Sequence, residues 1–272
     1  MLNHPAIDPI AISLGPLQIH WYGISYLLAF ATAWYLARRN ARRPWSPLGE
    51  NQVEDLIVYG AWGVIAGGRL GYMFFYNTDK WLADPAMLLR IWEGGMSFHG
   101  GLIGVAIAIF IYARKHRVSF LTLTDFAVPL VPTGLFFGRM GNFIGQELYG
   151  RPTDVPWGML FPSDPTQLPR HPSQLYEALL EGLVLFLIIS WFARKPRLAG
   201  EITGLFLVLY GCFRFMVEFV REPDAQFAGQ TAMIESLNWM TRGQALCIPM
   251  VLLGLWFMRK TMQSLMAKSA TN

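Results

Sequence analysis

Seven apolar runs constrain the fold of this 272-residue chain more than any other feature. They cover residues 17–36, 56–76, 96–113, 126–143, 173–192, 202–220 and 245–258. Most of them reach the roughly 17 to 25 residues that a helix needs to cross a bilayer, although the seventh is short and contains Pro249. We therefore predict an all-α fold, a polytopic membrane helical bundle with seven transmembrane helices.

The composition supports lipid as the solvent of this chain. Hydrophobic residues make up 53% and charged residues only 15%, with a mean hydropathy of +0.33. The formal charge of +4 does not indicate a nucleic-acid partner, because the basic residues gather at the ends of the apolar runs. We expect a single integral-membrane domain, 1–272, that binds no nucleic acid.

The two cysteines, Cys212 and Cys247, each lie inside an apolar run. There they have the character of small hydrophobic residues, so neither a disulfide bond nor a metal site is indicated. We also see no cluster of metal ligands elsewhere in the sequence. We expect neither a metal nor a cofactor.

The distribution of Lys and Arg predicts the orientation of the chain, since cytoplasmic loops are enriched in both. The segments after the first, third, fifth and seventh runs hold 13 of the 22 basic residues, and the opposite side holds 6. The first set is Arg38, Arg39, Arg42, Arg43, Arg114, Lys115, Arg117, Arg194, Lys195, Arg197, Arg259, Lys260 and Lys268. The second is Lys80, Arg90, Arg151, Arg170, Arg221 and Arg242. We predict a periplasmic N-terminus and a cytoplasmic C-terminus.

The long connecting segments 77–95, 144–172 and 221–242 then all lie on the outer side. The middle one contains six prolines, which favour a stiff, ordered excursion, so we expect these segments to form a periplasmic head. The first run is not interpreted as a cleaved signal peptide, because no basic segment precedes it and four arginines follow it. The two halves of the chain do not match, which counts against an inverted-repeat transporter.

Ionisable side chains inside the predicted spans need an explanation, because each costs about 2.5 to 3.5 kcal/mol to insert. The predicted topology puts these groups at one depth, towards the outer leaflet. They are Arg69, His99, Arg139, Glu177, Glu181, Arg214 and Glu218, with Asn142 beside them and Glu147 just beyond. The sequence thus predicts a polar layer with at least two guanidinium groups.

Spacing indicates which members of this layer share a helix face. Arg214 and Glu218 are four residues apart, and Arg139 lies one turn before Asn142. The pairs could hold a helical bundle together, or they could form an anion site. A phosphate suits two arginines, because each guanidinium offers a planar fork of donors.

His99 lies in a glycine-rich stretch, residues 94–101 with the sequence GGMSFHGG. A histidine that titrates near neutrality can take a proton from a thiol. A membrane histidine can also be a packing residue that forms hydrogen bonds between helices. Both interpretations stay open on these residues alone.

Residues 138–150, GRMGNFIGQELYG, strongly resemble the signature of bacterial prolipoprotein diacylglyceryl transferases. Further stretches of the chain are similar to that family, and the likeness runs nearly end to end. They are HWYG at 20–23 in the first helix, the stretch 94–101, RHPSQLYE at 170–177 and RFMVEFVREPD at 214–224. The sequence departs from the signature at Gly145, where the family usually has asparagine, so the polar contact that the asparagine would make is not predicted for this chain.

The resemblance implies that the thiol of a lipobox cysteine attacks the glyceryl carbon of phosphatidylglycerol and releases glycerol phosphate. It implies that the partners are phosphatidylglycerol and a prolipoprotein signal peptide, in the bacterial inner membrane. It implies catalytic roles for His99 as the base and for Arg139 and Arg214 as phosphate ligands. The family reading adds substrate-binding residues Tyr22, Asn142, Glu147, Gly150 and Glu218, and supporting residues His20, Arg69, His171 and Glu177.

Two other classes of function compete with this interpretation. A lipid or anion transporter could bind phosphate in transit through the same arginines. Ionisable groups are scarce in the inner halves of the runs, where only Asp125 lies at a helix end, so a path through the membrane is not indicated. A structural scaffold would not explain several charges at one depth.

Overall fold

The computed structural model describes residues 1–5, 7–15, 17–90, 94–222 and 240–270, with the backbone alone for Leu17 and after Thr261. Parts of the predicted head segments 77–95 and 221–242 therefore lie outside the described residues. The same holds for Pro223 and Asp224 of the stretch 214–224.

The described chain is mostly helical, which confirms the main feature of the predicted fold class. The α-helices are α1 Trp21–Ala41, α2 Glu50–Tyr76, α3 Thr78–Ala83, α4 Phe98–His116, α5 Phe120–Ala127, α6 Val131–Ile144, α7 Ser173–Glu177, α8 Leu185–Phe192, α9 Glu201–Val217 and α10 Arg242–Ala270. Short 3₁₀ helices cover Pro85–Leu88 and Val128–Leu130. A π-helix, Ala178–Val184, joins α7 to α8.

Helices occupy all seven of the predicted runs. Within the described residues, three are long and apolar enough to cross a membrane, namely Phe98–His116, Phe120–Ile144 and Ser173–Phe192. Seven transmembrane helices therefore stay a prediction.

The prediction of an all-α fold was wrong at the N-terminus, where short strands occur. Strands β2 Ile10–Leu14 and β3 Leu17–His20 form an antiparallel hairpin. Strand β1 Leu2–Asn3 pairs in parallel with β4 Met159–Leu160. Alternation of apolar and polar residues over 17–20 gives the period of a strand, and Gly15 turns the chain at a φ of +60°.

The strand at 17–20 also corrects the start of the first predicted span. His20 is the last residue of β3, and α1 begins only at Trp21. The helix then runs on to Ala41, beyond the predicted end at residue 36. Similarly, α9 ends at Val217, so that Glu218 is its C-cap residue.

The chain divides into two compact units, one of residues 1–36 and 127–272 and the other of residues 37–126. In the second unit, α2 packs closely on α4 through glycines. A Cβ atom added at Gly67 would collide with the carbonyl of Gly100, and one added at Gly104 would collide with that of Gly63. The single-domain organisation stays a prediction.

The first unit has one apolar cluster between α8 and α9, formed by Leu185, Ile189 and Ile202. A second cluster, Phe143, Met159 and Phe161, joins the end of α6 to the segment 144–172. These clusters fix the helices that carry the polar groups of this unit.

The segment 144–172 is described throughout and is stabilised by a buried ion pair. Arg170 Nε donates to Asp164 Oδ2 over 2.7 Å, and both side chains are nearly inaccessible. Burial raises the pKa of Asp164, but hydrogen bonds from Arg170 and Thr166 outweigh it, so the pKa lies below its ordinary value. The periplasmic location of this segment stays a prediction.

Candidate active site

Three arginines and three glutamates meet in the first unit, and we refer to them as the arginine–glutamate cluster. Its members are Arg139 on α6, Glu177 on α7, Glu181 on the π-helix, Arg214 on α9, Glu218 at the C-cap of α9, and Arg221. The glutamate side chains are 0% to 7% exposed and the arginine side chains 10% to 19%. The glutamates are therefore the more deeply buried members of the cluster.

Glu177 is the centre of this cluster. Its Oε2 atom lies 2.8 Å from Arg139 Nε and 3.1 Å from Arg214 Nη1. Its Oε1 atom lies 3.7 Å from Arg221 Nε. A fully buried carboxylate is stable only with such partners. Glu177, for which the resemblance implied a supporting role, thus joins the two arginines across α6, α7 and α9.

Arg214 also pairs with Glu218, as its spacing predicted. Arg214 Nη2 lies 2.9 Å from Glu218 Oε2, one helical turn away. The second oxygen of Glu218, Oε1, accepts a hydrogen bond from Thr241 Oγ1 over 3.0 Å. Glu218 therefore connects Arg214 to the start of α10.

Thr241 and Gln244 form a capping box at that start of α10. The Thr241 hydroxyl accepts from the Gln244 backbone N–H over 3.2 Å, and the Gln244 side chain accepts from the Thr241 N–H over 2.9 Å. Each satisfies a donor that the first helical turn leaves unpaired. The carboxylate of Glu218 thus lies at the positive end of the α10 dipole.

We expect Glu218→Gln to lower both turnover and stability. Glutamine keeps an oxygen for Thr241 but loses the charge opposite Arg214, at a cost of about 1.5 to 3 kcal/mol. Turnover should fall several-fold and the melting temperature in detergent should drop. The control is Glu54→Gln, whose side chain is 59% exposed and which should change neither quantity. A Glu218→Gln variant that is silent in both assays would disprove the pairing.

Asn142 and Glu147 extend the contacts of Arg139 at the end of α6. Arg139 Nη1 donates to Asn142 Oδ1 over 3.3 Å, and Asn142 Nδ2 donates to Glu147 Oε2 over 3.4 Å. The predicted pairing of Arg139 with Asn142 is therefore confirmed. Gly145 lies close by, since a Cβ atom there would be 3.8 Å from the carboxyl carbon of Glu147.

Tyr22 lies against α6 at Gly141, the residue before Asn142. A Cβ atom at Gly141 would be 3.1 Å from both the Tyr22 ring and Ser25 Oγ, so α1 approaches α6 closely there. The Tyr22 side chain is largely accessible, and its hydroxyl is 3.1 Å from that of Tyr26. The structure thus places Tyr22 within one turn of Arg139.

Gly150 and His171 lie together at a backbone junction in the same unit. The Gly150 N–H donates to the His171 carbonyl over 2.8 Å, and a Cβ atom at Gly150 would collide with the Val220 carbonyl. The His171 ring is 3.3 Å from the Tyr176 hydroxyl, and burial lowers the pKa of His171. Glycine is thus required at 150 to let the chain pass beside Arg221.

Arg69 and His99 belong to the second unit, and His99 is exposed in the first turn of α4. Arg69 is 2% exposed, and its guanidinium donates to five backbone carbonyls of residues 87–95. The acceptors are Met87 at 2.5 Å, Leu88 at 3.2 Å, Arg90 at 2.8 Å, Gly95 at 3.1 Å and Gly94. Arg69 therefore anchors the chain just before His99.

The comparisons with known proteins identify the family. The sequence pattern described as prolipoprotein diacylglyceryl transferase matches residues 9–260 of this chain. The chain belongs to the prolipoprotein diacylglyceryl transferase family. The resemblance noted from the signature segment 138–150 is thereby confirmed, and the chain is a transferase.

Individual relatives are similar over nearly their whole length. The phosphatidylglycerol–prolipoprotein diacylglyceryl transferase of Methylococcus capsulatus is 56% identical, covering 94% of this chain and 95% of its own. That of Teredinibacter turnerae is 53% identical, covering 93% and 90%. That of Nitratidesulfovibrio vulgaris (strain Miyazaki F) is 52% identical, covering 95% of both chains.

In this member of the transferase family, sequence reasoning missed part of the cluster. Arg221 was placed in an outer loop, yet it lies 3.8 Å from Glu218 and 3.7 Å from Glu177. Its position three residues after Glu218 was the available signal. For Thr241, the only sequence pattern that could have indicated its role is the capping pattern that it forms with Gln244. Within the ranges that the structure describes, no group of three or more His, Cys, Asp or Glu side chains is arranged so that it could hold a metal ion.

Proposed function

We propose that this transferase moves the diacylglyceryl group of phosphatidylglycerol onto the thiol of the lipobox cysteine of prolipoproteins. The names of the relatives support both substrates. In the reaction, the sulfur bonds to the glyceryl carbon while the bond from that carbon to the phosphate oxygen breaks. The bonding electrons leave with glycerol phosphate, and the thiol proton passes to a base.

The chemistry makes two demands on the protein. A thiol with a pKa of about 8.5 must become a thiolate, since only the thiolate is a good nucleophile. The departing phosphate must also meet fixed donors in a poorly hydrated site. The chain therefore needs a proton acceptor and a set of directed cationic donors.

The paired arginines of the cluster are the observation that carries the proposal. Each guanidinium has five N–H donors, and the carboxylate contacts use Nε of Arg139 and the two terminal nitrogens of Arg214. Both side chains keep an accessible edge, at 19% and 15% exposure, while Glu177 behind them is fully buried. A phosphate can therefore approach donors that the carboxylates already hold in place.

The other assignments extend this site. We assign Tyr22, Asn142, Glu147, Gly150 and Glu218 to substrate binding, since each lies on or beside the elements that carry the arginines. The supporting residues hold other groups in place. Glu177 holds the arginines, His171 holds Gly150, and Arg69 holds the loop before His99. His20, at the end of β3, directs the entry of the chain into α1.

His99 is our proposed base for the thiol. The support is its residue type, its exposure in the first turn of α4, and the anchoring of Arg90 and Gly95 by Arg69. The first turn of a helix is a fixed position for a side chain. The imidazole is the proposed acceptor of the thiol proton.

The proposed topology has seven transmembrane helices in the bacterial inner membrane, with a periplasmic N-terminus and a cytoplasmic C-terminus. The connecting segments 77–95, 144–172 and 221–242 form the periplasmic head. The support is the excess of basic residues on one side, together with a helix at each apolar run.

Labelling with a membrane-impermeant thiol reagent should test this orientation. In intact spheroplasts, Leu168→Cys, in an exposed part of the segment 144–172, should react because that segment is periplasmic. Lys195→Cys, exposed after α8, should react only after permeabilisation. The parent chain with Cys212 and Cys247 gives the background. The reverse pattern for both variants would invert the topology.

The direct test of function is incubation of the purified protein with phosphatidylglycerol and a lipobox peptide. The peptide should gain the mass of one diacylglyceryl group, and glycerol phosphate should appear in equal amount. A peptide with serine in place of cysteine should remain unmodified. If folded protein leaves the cysteine peptide unchanged but moves the lipid across the membrane of a vesicle, the chain is a transporter.

A further inference from the structure

Glu181 differs from the other carboxylates of the arginine–glutamate cluster. Its side chain is 0% exposed, and neither oxygen accepts a hydrogen bond from any described residue. Its nearest cation is Arg214, with Nη1 3.8 Å from Oε1. By contrast, Glu177 and Glu218 each have an oxygen within 3.1 Å of a guanidinium nitrogen. Glu181 is thus buried beside the site, and no described residue donates a hydrogen bond to it.

The backbone around Glu181 is also unusual. It lies in the π-helix Ala178–Val184, between two α-helical segments. Such π-turns are rare and occur frequently at functional sites. The π-helix begins directly after Glu177, and Glu181 lies in its middle.

The charge of the cluster depends on this carboxyl group. Three guanidinium groups and three carboxylates cancel, so a fully ionised cluster would offer no net attraction to a phosphodiester monoanion. If one carboxyl group is neutral, the cluster carries a net charge of +1. An ionised, buried carboxylate without hydrogen bonds is costly, so Glu181 is the member that is neutralised most easily.

The groups that surround Glu181 come from every helix packed against it. They are Arg139 from α6, Glu177 from α7, Tyr210 and Arg214 from α9, Cys247 from α10, and Arg221. Of these, the three arginines are already engaged by Glu177 and Glu218. Arg214, the nearest cation to Glu181 at 3.8 Å, is therefore shared with Glu177 and Glu218, which both lie closer to it.

We propose that Glu181 carries a proton in the resting enzyme and thereby gives the arginine–glutamate cluster the positive charge that binds the phosphate of the lipid. It is a positioning residue, because it acts through Arg214 and not on the substrate. The proposal deepens the proposed function and rests on it for the identity of the phosphate ligand.

The pH dependence of phosphatidylglycerol affinity tests the proposal. In the wild type, alkaline pH ionises Glu181 and cancels the net charge, so the Kd should rise by up to about tenfold for each pH unit above that titration. Glu181→Gln cannot ionise and should hold its affinity over the same range, binding more tightly than the wild type at high pH. Glu181→Asp, which still titrates, is the matched control and should lose phosphatidylglycerol affinity at alkaline pH as the wild type does.

Infrared spectroscopy gives a readout that is independent of transferase activity. The wild type should show the C=O band of a buried protonated carboxylic acid, and Glu181→Gln should lack it. Glu54→Gln, which removes an exposed carboxylate outside the cluster, should retain that band. Failure of the proposed function would be seen as absent transfer by the wild type, whereas the band decides the protonation of Glu181 by itself.

Several results would overturn the proposal. One is a wild type without the carboxylic acid band, and another is a Glu181→Gln variant with the alkaline loss of affinity intact. If Glu181→Gln folds poorly, Glu181→Met provides a second uncharged side chain of similar length. If neither uncharged variant folds, the ionised carboxylate is required and Glu181 is not protonated.

Discussion

Arg139→Lys should lose most of the diacylglyceryl transfer, with a rate about 10²- to 10³-fold below that of the wild type. Lysine keeps a positive charge opposite Glu177 but has no planar fork of donors for phosphate. It also cannot bridge Glu177 and Asn142 at once, as Arg139 does through Nε and Nη1. The measurement is a single-turnover rate at saturating phosphatidylglycerol, together with melting in detergent.

The control for this variant is Arg39→Lys, an exposed arginine near the end of α1. That substitution also replaces a guanidinium group by an ammonium group, but outside the cluster, so it should leave the transfer rate unchanged. Wild-type turnover by Arg139→Lys would show that any cation suffices at this position, and the phosphate-fork proposal would then fail.

His99→Gln should lower the chemical rate by about 10²- to 10⁴-fold, the usual contribution of a general base. Glutamine keeps a hydrogen-bonding group but cannot titrate, so the substrate thiol stays largely protonated near neutral pH. Raising the pH towards the pKa of the thiol, about 8.5, should restore part of the rate. Phosphatidylglycerol affinity should hardly change, since His99 is not proposed to hold the phosphate.

Two comparisons make the His99 experiment decisive. His116→Gln, at the other end of α4, substitutes the same residue types away from the proposed site and should show no rate loss that alkaline pH rescues. If His99→Gln and the wild type have equal rates at every pH, His99 is not the base. Weaker lipid binding without rescue by pH would instead assign His99 to helix packing.

The sequence predicted those features that depend on local spacing. The apolar runs located all of the long helices, because burial in lipid requires uninterrupted apolar stretches. The pairing of Arg214 with Glu218 followed from residues four apart on a helix. The N-terminal strands were missed, since the strand pattern over 17–20 is short and adjoins an apolar helix.

Long-range contacts could not be predicted in the same way. Glu177 meets Arg139 and Arg214 across gaps of about 40 residues in the chain, and only the packing of α6, α7 and α9 brings them together. The link between Glu218 and Thr241 likewise depends on where α10 begins. No residue pattern distinguished Glu177 as the centre or showed that Glu181 lacks a hydrogen-bond donor among the described residues.

The central claim is that sulfur attacks carbon while the arginines take the departing phosphate. The most direct measurement uses phosphatidylglycerol with an ¹⁸O label in one oxygen. This oxygen joins the diacylglyceryl carbon to phosphorus, on the side of the phosphate that carries the acyl chains. After turnover with the lipobox peptide, mass spectrometry should find the label in the released glycerol phosphate and an unlabelled diacylglyceryl group on the peptide cysteine. Label retained on the lipid portion, or phosphorus transferred to the peptide, would mean that the bond to phosphorus breaks, which contradicts this account.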